Sequence, residues 1–269
     1  LDETTYRRAP GMSQSKLKLC LTDPHHAIQS DRCPMVATDA MELGTLAHCL
    51  ILTPHLFGDG KSHVLRPATY TNAKGEVKRW NGNANECKAW NEANADMLVL
   101  TPKDHRTVEN MADSFKFHPF GKTLLENGHK EASCFWRDKE SGMLMKARFD
   151  LIAEVEGGII IVDLKKVGQD DERSFVMSCA DLHYDVQNAV YRHGAAEALS
   201  VPLDTVRFIH AAIPDKAPHC IDWREMGRLT KRKGEENMRK AINKYNEAKA
   251  TGEWTTIQAV ELPEWYLSR

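Results

Sequence analysis

Residues 143–166 read MLMKARFDLIAEVEGGIIIVDLKK, and the fold turns on how this stretch is paired. Two apolar runs with a period of two are joined by Glu156, Gly157 and Gly158, which is the pattern of a β-hairpin. Each run carries an aspartate, Asp150 or Asp163, where a buried strand should be apolar, and the second run ends in Lys165 and Lys166. Side chains alternate along a strand, so Asp163 and Lys165 share one face of the sheet. If Glu156–Gly157 is a two-residue turn, Val155 faces Gly158 and Asp150 falls opposite Asp163. If Gly157–Gly158 is the turn, Asp150 falls opposite Lys165 and diagonal to Asp163. Both even turns put the three charges on one face, and a three-residue turn would not.

The acid-x-Lys triplet alone says little, because it occurs five times, at Asp59, Glu76, Glu86, Asp163 and Glu247. Only Asp163–Lys165 ends an apolar strand. Like charges opposite one another destabilise a sheet, so two carboxylates held together there call for a cation. Oxygen ligands of this kind suit Mg²⁺, with Mn²⁺ able to substitute. Glu131, at the start of the preceding strand, comes near the level of Asp150 by antiparallel pairing and is a candidate third acid. An acid pair holding a metal beside a lysine is equipped for phosphodiester hydrolysis: the metal activates water, and the lysine neutralises developing charge. The same repulsion predicts that Asp163→Ala stabilises the metal-free protein.

Outward from the hairpin, residues 131–138 form a third strand, 184–199 an amphipathic helix, 205–213 a buried strand and 219–226 a further one. Ser13 or Ser15 caps a helix over 13–23. Thr38 to Leu52 is helical and stops at Pro54. Residues 62–67 and 97–102 are short strands, 103–119 a helix, and 235–250 a long charged helix. The polar stretch 68–96 is expected as a loop and a helical arm on the surface. This order gives an α/β fold with a mixed central sheet flanked by helices, as one domain over residues 1–269.

The 269 residues are 42% hydrophobic and 28% charged, ordinary for a globular chain with a sizeable core. No apolar run reaches the length of a membrane span. The seven cysteines contain no C-x-x-C pair, which argues against zinc ribbons and points to reduced thiols in a cytoplasmic protein. A formal net charge of −2 excludes a strongly basic coat protein, but not an enzyme with a local basic groove.

The order ARFD (147–150), VDLKK (162–166) resembles the core of the PD-(D/E)XK nuclease superfamily. ELGTLAHC (42–49) resembles the G-T-x-x-H helix, and YDVQNAVY (184–191) the Q-x-x-x-Y helix, of its RecE-type, RecB-type and lambda-type exonucleases. The likeness to RecE-type exonucleases (exonuclease VIII) runs nearly from end to end. It implies Asp150 and Asp163 as metal ligands, joined by the Leu164 carbonyl and His48, with Lys165 catalytic and Gln187 and Tyr191 framing the site from one helical face. Two positions depart from the family: Phe149 stands where a proline is usual, and Lys166 where Thr or Ser is usual. Lys166 is an added cation that could touch a phosphate.

The resemblance further implies digestion of linear double-stranded DNA from the 5′ end, leaving 3′ single strands, with a single-strand annealing recombination protein as partner in a phage or prophage. It implies a ring-shaped homo-oligomer, a tetramer, formed by the C-terminal part of a longer chain. A basic channel lining would fall to Arg66, Lys74, Lys78 and Arg79. Two other readings compete. A RecB-like nuclease of other polarity with an iron–sulfur cluster needs C-terminal cysteines, and only Cys220 lies in the last third. A catalytically inactive DNA-binding module would have lost an acid or the lysine, and all are present.

Overall fold

The computed structural model describes residues 1–33, 38–57, 63–168, 172–255 and 260–267. Before the sheet come α1 (Glu3–Arg8), α2 (Gln14–Thr22), α3 (Pro24–Arg32) and α4 (Asp39–Leu52). Strands β1 (His63–Leu65), β2 (Thr69–Thr71) and β3 (Val77–Arg79) follow, then α5 (Asn85–Ala93), β4 (Leu98–Leu100), α6 (Pro102–Phe117) and α7 (Pro119–Asn127). The central strands are β5 (His129–Arg137), β6 (Leu144–Val155) and β7 (Gly158–Val167). Helices α8 (Glu172–Asp181) and α9 (Tyr184–Leu199) lead to β8 (Val206–Pro214) and β9 (Asp222–Glu225), and α10 (Arg228–Thr251) and α11 (Glu264–Leu267) close the chain.

The main sheet runs β5-β6-β7-β8-β9. It is antiparallel except between β7 and β8, which the α8–α9 crossover joins in parallel. Its two faces are buried against different helices. Leu17 and Cys20 of α2, Val186 and Val190 of α9, and Met238 and Ile242 of α10 cover one face, over Phe149, Ile159, Ile161 and Phe208. Ala47 and Ile51 of α4, Met111 and Phe115 of α6 and Leu124 of α7 cover the other, over Leu151, Val162, Leu164 and Ile209. Each such side chain, fully buried, contributes about 1.5–3 kcal/mol, so the strand carrying Asp163 is fixed from both sides.

The expected fold class is the observed one, and most elements lie within two residues of expectation. Ser13 caps α2 by accepting the Lys16 N–H, and Thr38 caps α4 by accepting that of Met41. Helix α10 begins at Arg228, seven residues before the expected start, with Gly227 at its N-cap and no side-chain cap to announce it. The expected surface loop at 68–79 is instead a small β2–β3 hairpin, with Thr69 opposite Arg79. Its turn is held by Asn72, whose side chain accepts the N–H groups of Lys74 and Glu76. Ser62, the first residue of the expected strand 62–67, lies outside the described residues. Among the described residues, no helix is long and apolar enough to cross a membrane. All seven cysteines are free thiols.

Candidate active site

The site begins with a defect in the sheet. The turn is the two-residue one, Glu156–Gly157, with Gly157 at φ +84°, and Val155 pairs with Gly158. From there the β6–β7 ladder runs to Leu151 opposite Val162 and stops. One step further the Asp150 carboxylate replaces the backbone: its Oδ2 accepts the Leu164 N–H at 2.8 Å. Strand β6 turns over at this point. Phe149 lies in the core layer under α9 and Leu151 in the layer under α4, although a period of two would keep them on one face. Strand β5 yields at the same level, where Glu131 takes φ +53° and is skipped between the Lys130–Leu151 and Ala132–Phe149 pairs. The strands part, and the two aspartates sit in the notch.

Asp163 is the most heavily engaged group there. Lys165 Nζ lies 2.6 Å from its Oδ2, and Gln187 Nε2 donates to its Oδ1 at 2.5 Å. His210 Nδ1, directly across the parallel β7–β8 pairing, lies 3.4 Å from Oδ2. Burial alone would raise this carboxyl, but the Lys165 ammonium and His210 outweigh it and hold it well below the usual range. Lys165 stays charged for the reciprocal reason: burial would lower it, and Asp163 raises it above an ordinary lysine. Tyr191, one turn after Gln187 on α9, packs edge-on against Phe149 and Phe208. Burial and the nearby charges of Asp163 and Asp150 push its hydroxyl well above the ordinary tyrosine value.

Asp150 is in the opposite condition. Burial, with the charge of Asp163 added, pushes its carboxyl up to about 6 despite His48 and Lys165. His48 reaches the notch from α4, with Nε2 2.8 Å from the Leu164 carbonyl oxygen. A carbonyl only accepts, so Nε2 carries the proton. In the neutral ring Nδ1 is then an acceptor, and it faces another acceptor, Asp150 Oδ2, at 3.6 Å. Two acceptors turned towards each other require a proton or a cation between them.

The family model described as the PDDEXK-like domain of unknown function DUF3799 matches residues 13–259. The chain belongs to this family. Among solved structures it is similar to a candidate exonuclease from Eubacterium rectale, at 12% identity and a TM-score of 0.59, covering 97% of this chain and 96% of that one. Two weaker likenesses are the protein SSO0001 (15% identity, TM-score 0.30, 52% of this chain and 67% of that one) and the protein VC1899 from Vibrio cholerae (12%, 0.23, 88% and 56%). Those two are too distant to bear on the fold. No curated protein matches the chain.

Within this PDDEXK-like domain the structure gathers Asp150, Asp163, Lys165, His48, the Leu164 carbonyl, Gln187 and Tyr191, and leaves other sequence candidates outside. Glu131 does not join the acids. Its carboxylate accepts from Arg148 Nε at 2.5 Å, an ion pair that stabilises it where it stands. Lys166 does not point into the notch. It points to the α4 face and its Nζ holds Asp215 Oδ2 at 2.6 Å, because the period that puts Lys165 on Asp163 sends its neighbour the other way. On the hairpin and its flank, Lys74, Lys78 and Arg79 are exposed, Lys78 pairs with Glu76 at 3.0 Å, and Arg66 stacks over Trp80.

His210 belongs to the site but carries no motif that marks it in the sequence. It is fully buried, with Nδ1 towards Asp163 and Nε2 without a hydrogen-bond partner among the described residues. Its strand was legible, but a parallel register has no hairpin turn to fix it, so nothing in the sequence aligned it with Asp163.

Among the described residues, no three His, Cys, Asp or Glu side chains form a ready-made metal cage. The donor chemistry nonetheless fits a hard divalent cation. The notch holds two carboxylates, a carbonyl and an imidazole, and has an acceptor-to-acceptor contact that a cation would resolve. Binding there would oblige the Lys165 ammonium to share Asp163.

Proposed function

We propose that this chain is a Mg²⁺-dependent exodeoxyribonuclease that degrades one strand of linear duplex DNA from its 5′ end and leaves 3′ single strands for recombination. The observation that carries the reading is the group in the β6–β7 notch: Asp163 gripped by Lys165 and Gln187, beside a proton-hungry Asp150 that faces His48. Asp150, Asp163, the Leu164 carbonyl and His48 would hold the ion. When bound, the metal supplies a water of lowered pKa and neutralises charge on the phosphate.

The protein's own part follows from the contacts. Lys165, still charged, lies where it can orient the attacking water or meet negative charge on the phosphate. Gln187 fixes the rotation of the Asp163 carboxylate, and His210 braces its other oxygen. Tyr191, buried between Phe149 and Phe208, keeps the back of the site dry.

The 5′-to-3′ polarity, the duplex substrate, the annealing-protein partner, the tetrameric ring and the cytoplasmic phage setting rest on the resemblance to RecE-type exonucleases. Arg66, Lys74, Lys78 and Arg79 remain proposed duplex contacts, and Lys166 is withdrawn. The test is digestion of linear and circular duplex with Mg²⁺ and with EDTA, with label at either the 5′ or the 3′ end. Metal-dependent loss of the 5′ label first, on linear DNA only, is the expected result. Attack on closed circles would replace exonuclease by endonuclease, and early loss of the 3′ label would reverse the polarity. A strict monomer by solution mass would remove the ring.

A further inference from the structure

A second lysine approaches the notch from a part of the chain that no motif marks. Helix α2 is pinned beside β6: the Met12 N–H donates to Leu144 O at 2.8 Å, the Lys146 N–H donates to Met12 O at 3.0 Å, and Ser13 then caps the helix. Leu17 and Cys20 are buried in the core under α9. This seating turns Lys18 towards the first residue of α9. Its ammonium lies 5.4 Å from the centre of the Tyr184 ring, and that of Lys165 lies 4.8 Å from the same centre. One aromatic ring therefore serves two ammonium groups, one of which is the lysine on Asp163.

The two lysines differ in one respect. Lys165 has Asp163 at 2.6 Å. Lys18 has no ion-pair or hydrogen-bond partner among the described residues, and Asp163 and Asp185 act on it only through space. A half-buried ammonium with unmet donors is costly unless an anion arrives. The cost is visible in its acidity: burial first, then the charge of Lys165, bring Lys18 down to about 8. The cation–π contact with Tyr184 compensates in part and fixes the direction of the head group.

We propose that Lys18 is a substrate-binding residue, whose ammonium takes a phosphate of the DNA strand next to the phosphate that is cleaved, with the Tyr184 ring in contact with both Lys18 and Lys165. The proposal rests on the nuclease reading of the Asp150–Asp163 notch and adds to it a second anion position. A phosphodiester is the class of ligand the geometry selects, because the site offers two cations on one aromatic ring beside a pair of acids, and only one of the two cations is already paired with a carboxylate.

The test compares Lys18→Met, which keeps the aliphatic stem, with Lys18→Arg, which keeps the charge. Binding of a short labelled duplex is measured in EDTA from about 50 to about 200 mM salt, and steady-state hydrolysis is measured with Mg²⁺. Removing one phosphate contact should weaken binding about tenfold and flatten the slope of log affinity against log salt by about 0.9. In turnover Lys18→Met should raise KM with kcat largely kept, and Lys18→Arg should restore both the slope and KM. A purely structural lysine would move none of these readouts, so wild-type slope and KM in Lys18→Met would overturn the proposal. If the wild type degrades DNA and Lys18→Met matches it, this inference alone fails. If the wild type neither binds nor degrades DNA, the nuclease reading fails with it.

Discussion

Replacing Asp150 by Asn should make the metal-free protein more stable. The wild-type carboxyl stands at about 6 in the fold against a usual 3.8, because it is buried beside another carboxylate. At about 1.4 kcal/mol per pH unit, that is a ceiling of about 3 kcal/mol against folding at neutral pH. The side chain is 17% exposed, and solvent takes back part of this, leaving about 1–3 kcal/mol. Asparagine keeps an oxygen for the Leu164 N–H, so the notch need not collapse. For a chain of 269 residues the gain corresponds to a Tm rise of about 2–5 °C.

The sign gives a second handle. A carboxyl raised on folding begins to cost stability above its unfolded value of 3.8 and costs the full amount only above its folded value, so the gap between variant and wild type is widest above about pH 7. It narrows as pH falls through about 6 and is gone near pH 4. Thermal unfolding in EDTA across this range measures it. Mg²⁺ should then reverse the order, stabilising the wild type and leaving Asp150→Asn unmoved. An Asp150→Asn protein less stable than wild type at pH 7.5, or a gap that ignores pH, would refute the account of the notch as a charge-starved acid pair.

Asp163→Ala and Lys165→Ala should each abolish hydrolysis with the fold retained, checked by digestion alongside circular dichroism. The stabilisation of Asp163→Ala expected from repulsion alone is reversed by the structure: Asp163 is the acid with the cation, so its loss strands Lys165 and should cost about 3 kcal/mol in chemical denaturation. Asp138 lies far from the notch and takes both Arg239 guanidinium nitrogens, at 2.7 and 3.1 Å. Burial there would raise the carboxyl, but the hydrogen bonds from Arg239 and Ser141 hold it at about 2. Asp138→Asn should therefore lose about 2 kcal/mol at pH 7, and the difference from wild type should fade as pH falls from about 4 to about 2.

What the sequence made legible follows from local chemistry. Asp163 and Lys165 share a face because strands alternate, and the short turn carries Asp150 to their level. Gln187 and Tyr191 share a helical face because they are four residues apart. What stayed hidden depends on contacts between distant segments. His210 meets Asp163 only through a parallel register, and Lys18 meets Tyr184 only because Met12 bridges to β6. Arg148, two residues before Asp150, takes Glu131 away from the acids; the pairing of strands was foreseeable, but not which partner Glu131 would choose. The helices α3 and α7 open on Pro24 and Pro119, which sequence reading treats as breaks although proline is well suited to the first helical position.

The turn that let the register be read is not what holds it in the folded protein, and an insertion can separate the two. Adding one glycine between Gly157 and Gly158 makes the loop odd. If the turn alone set the pairing, β7 would slip by one residue and Asp163 and Lys165 would leave the notch for the opposite face. Strand β7, however, is also held on its far side, from Ile159 opposite Val206 to Val167 opposite Pro214. A slip would drive Val162 and Leu164 out of the layer under α4 and bring charges into it. Losing even two such apolar side chains from burial costs about 3–6 kcal/mol, whereas one more loop residue costs well under about 1 kcal/mol in closure entropy. The insertion should therefore be absorbed at the hairpin tip, with stability down by about 1 kcal/mol and nuclease activity kept. A folded insertion variant without activity would mean that the two-residue turn, and not the parallel pairing with β8, keeps Asp163 beside Asp150.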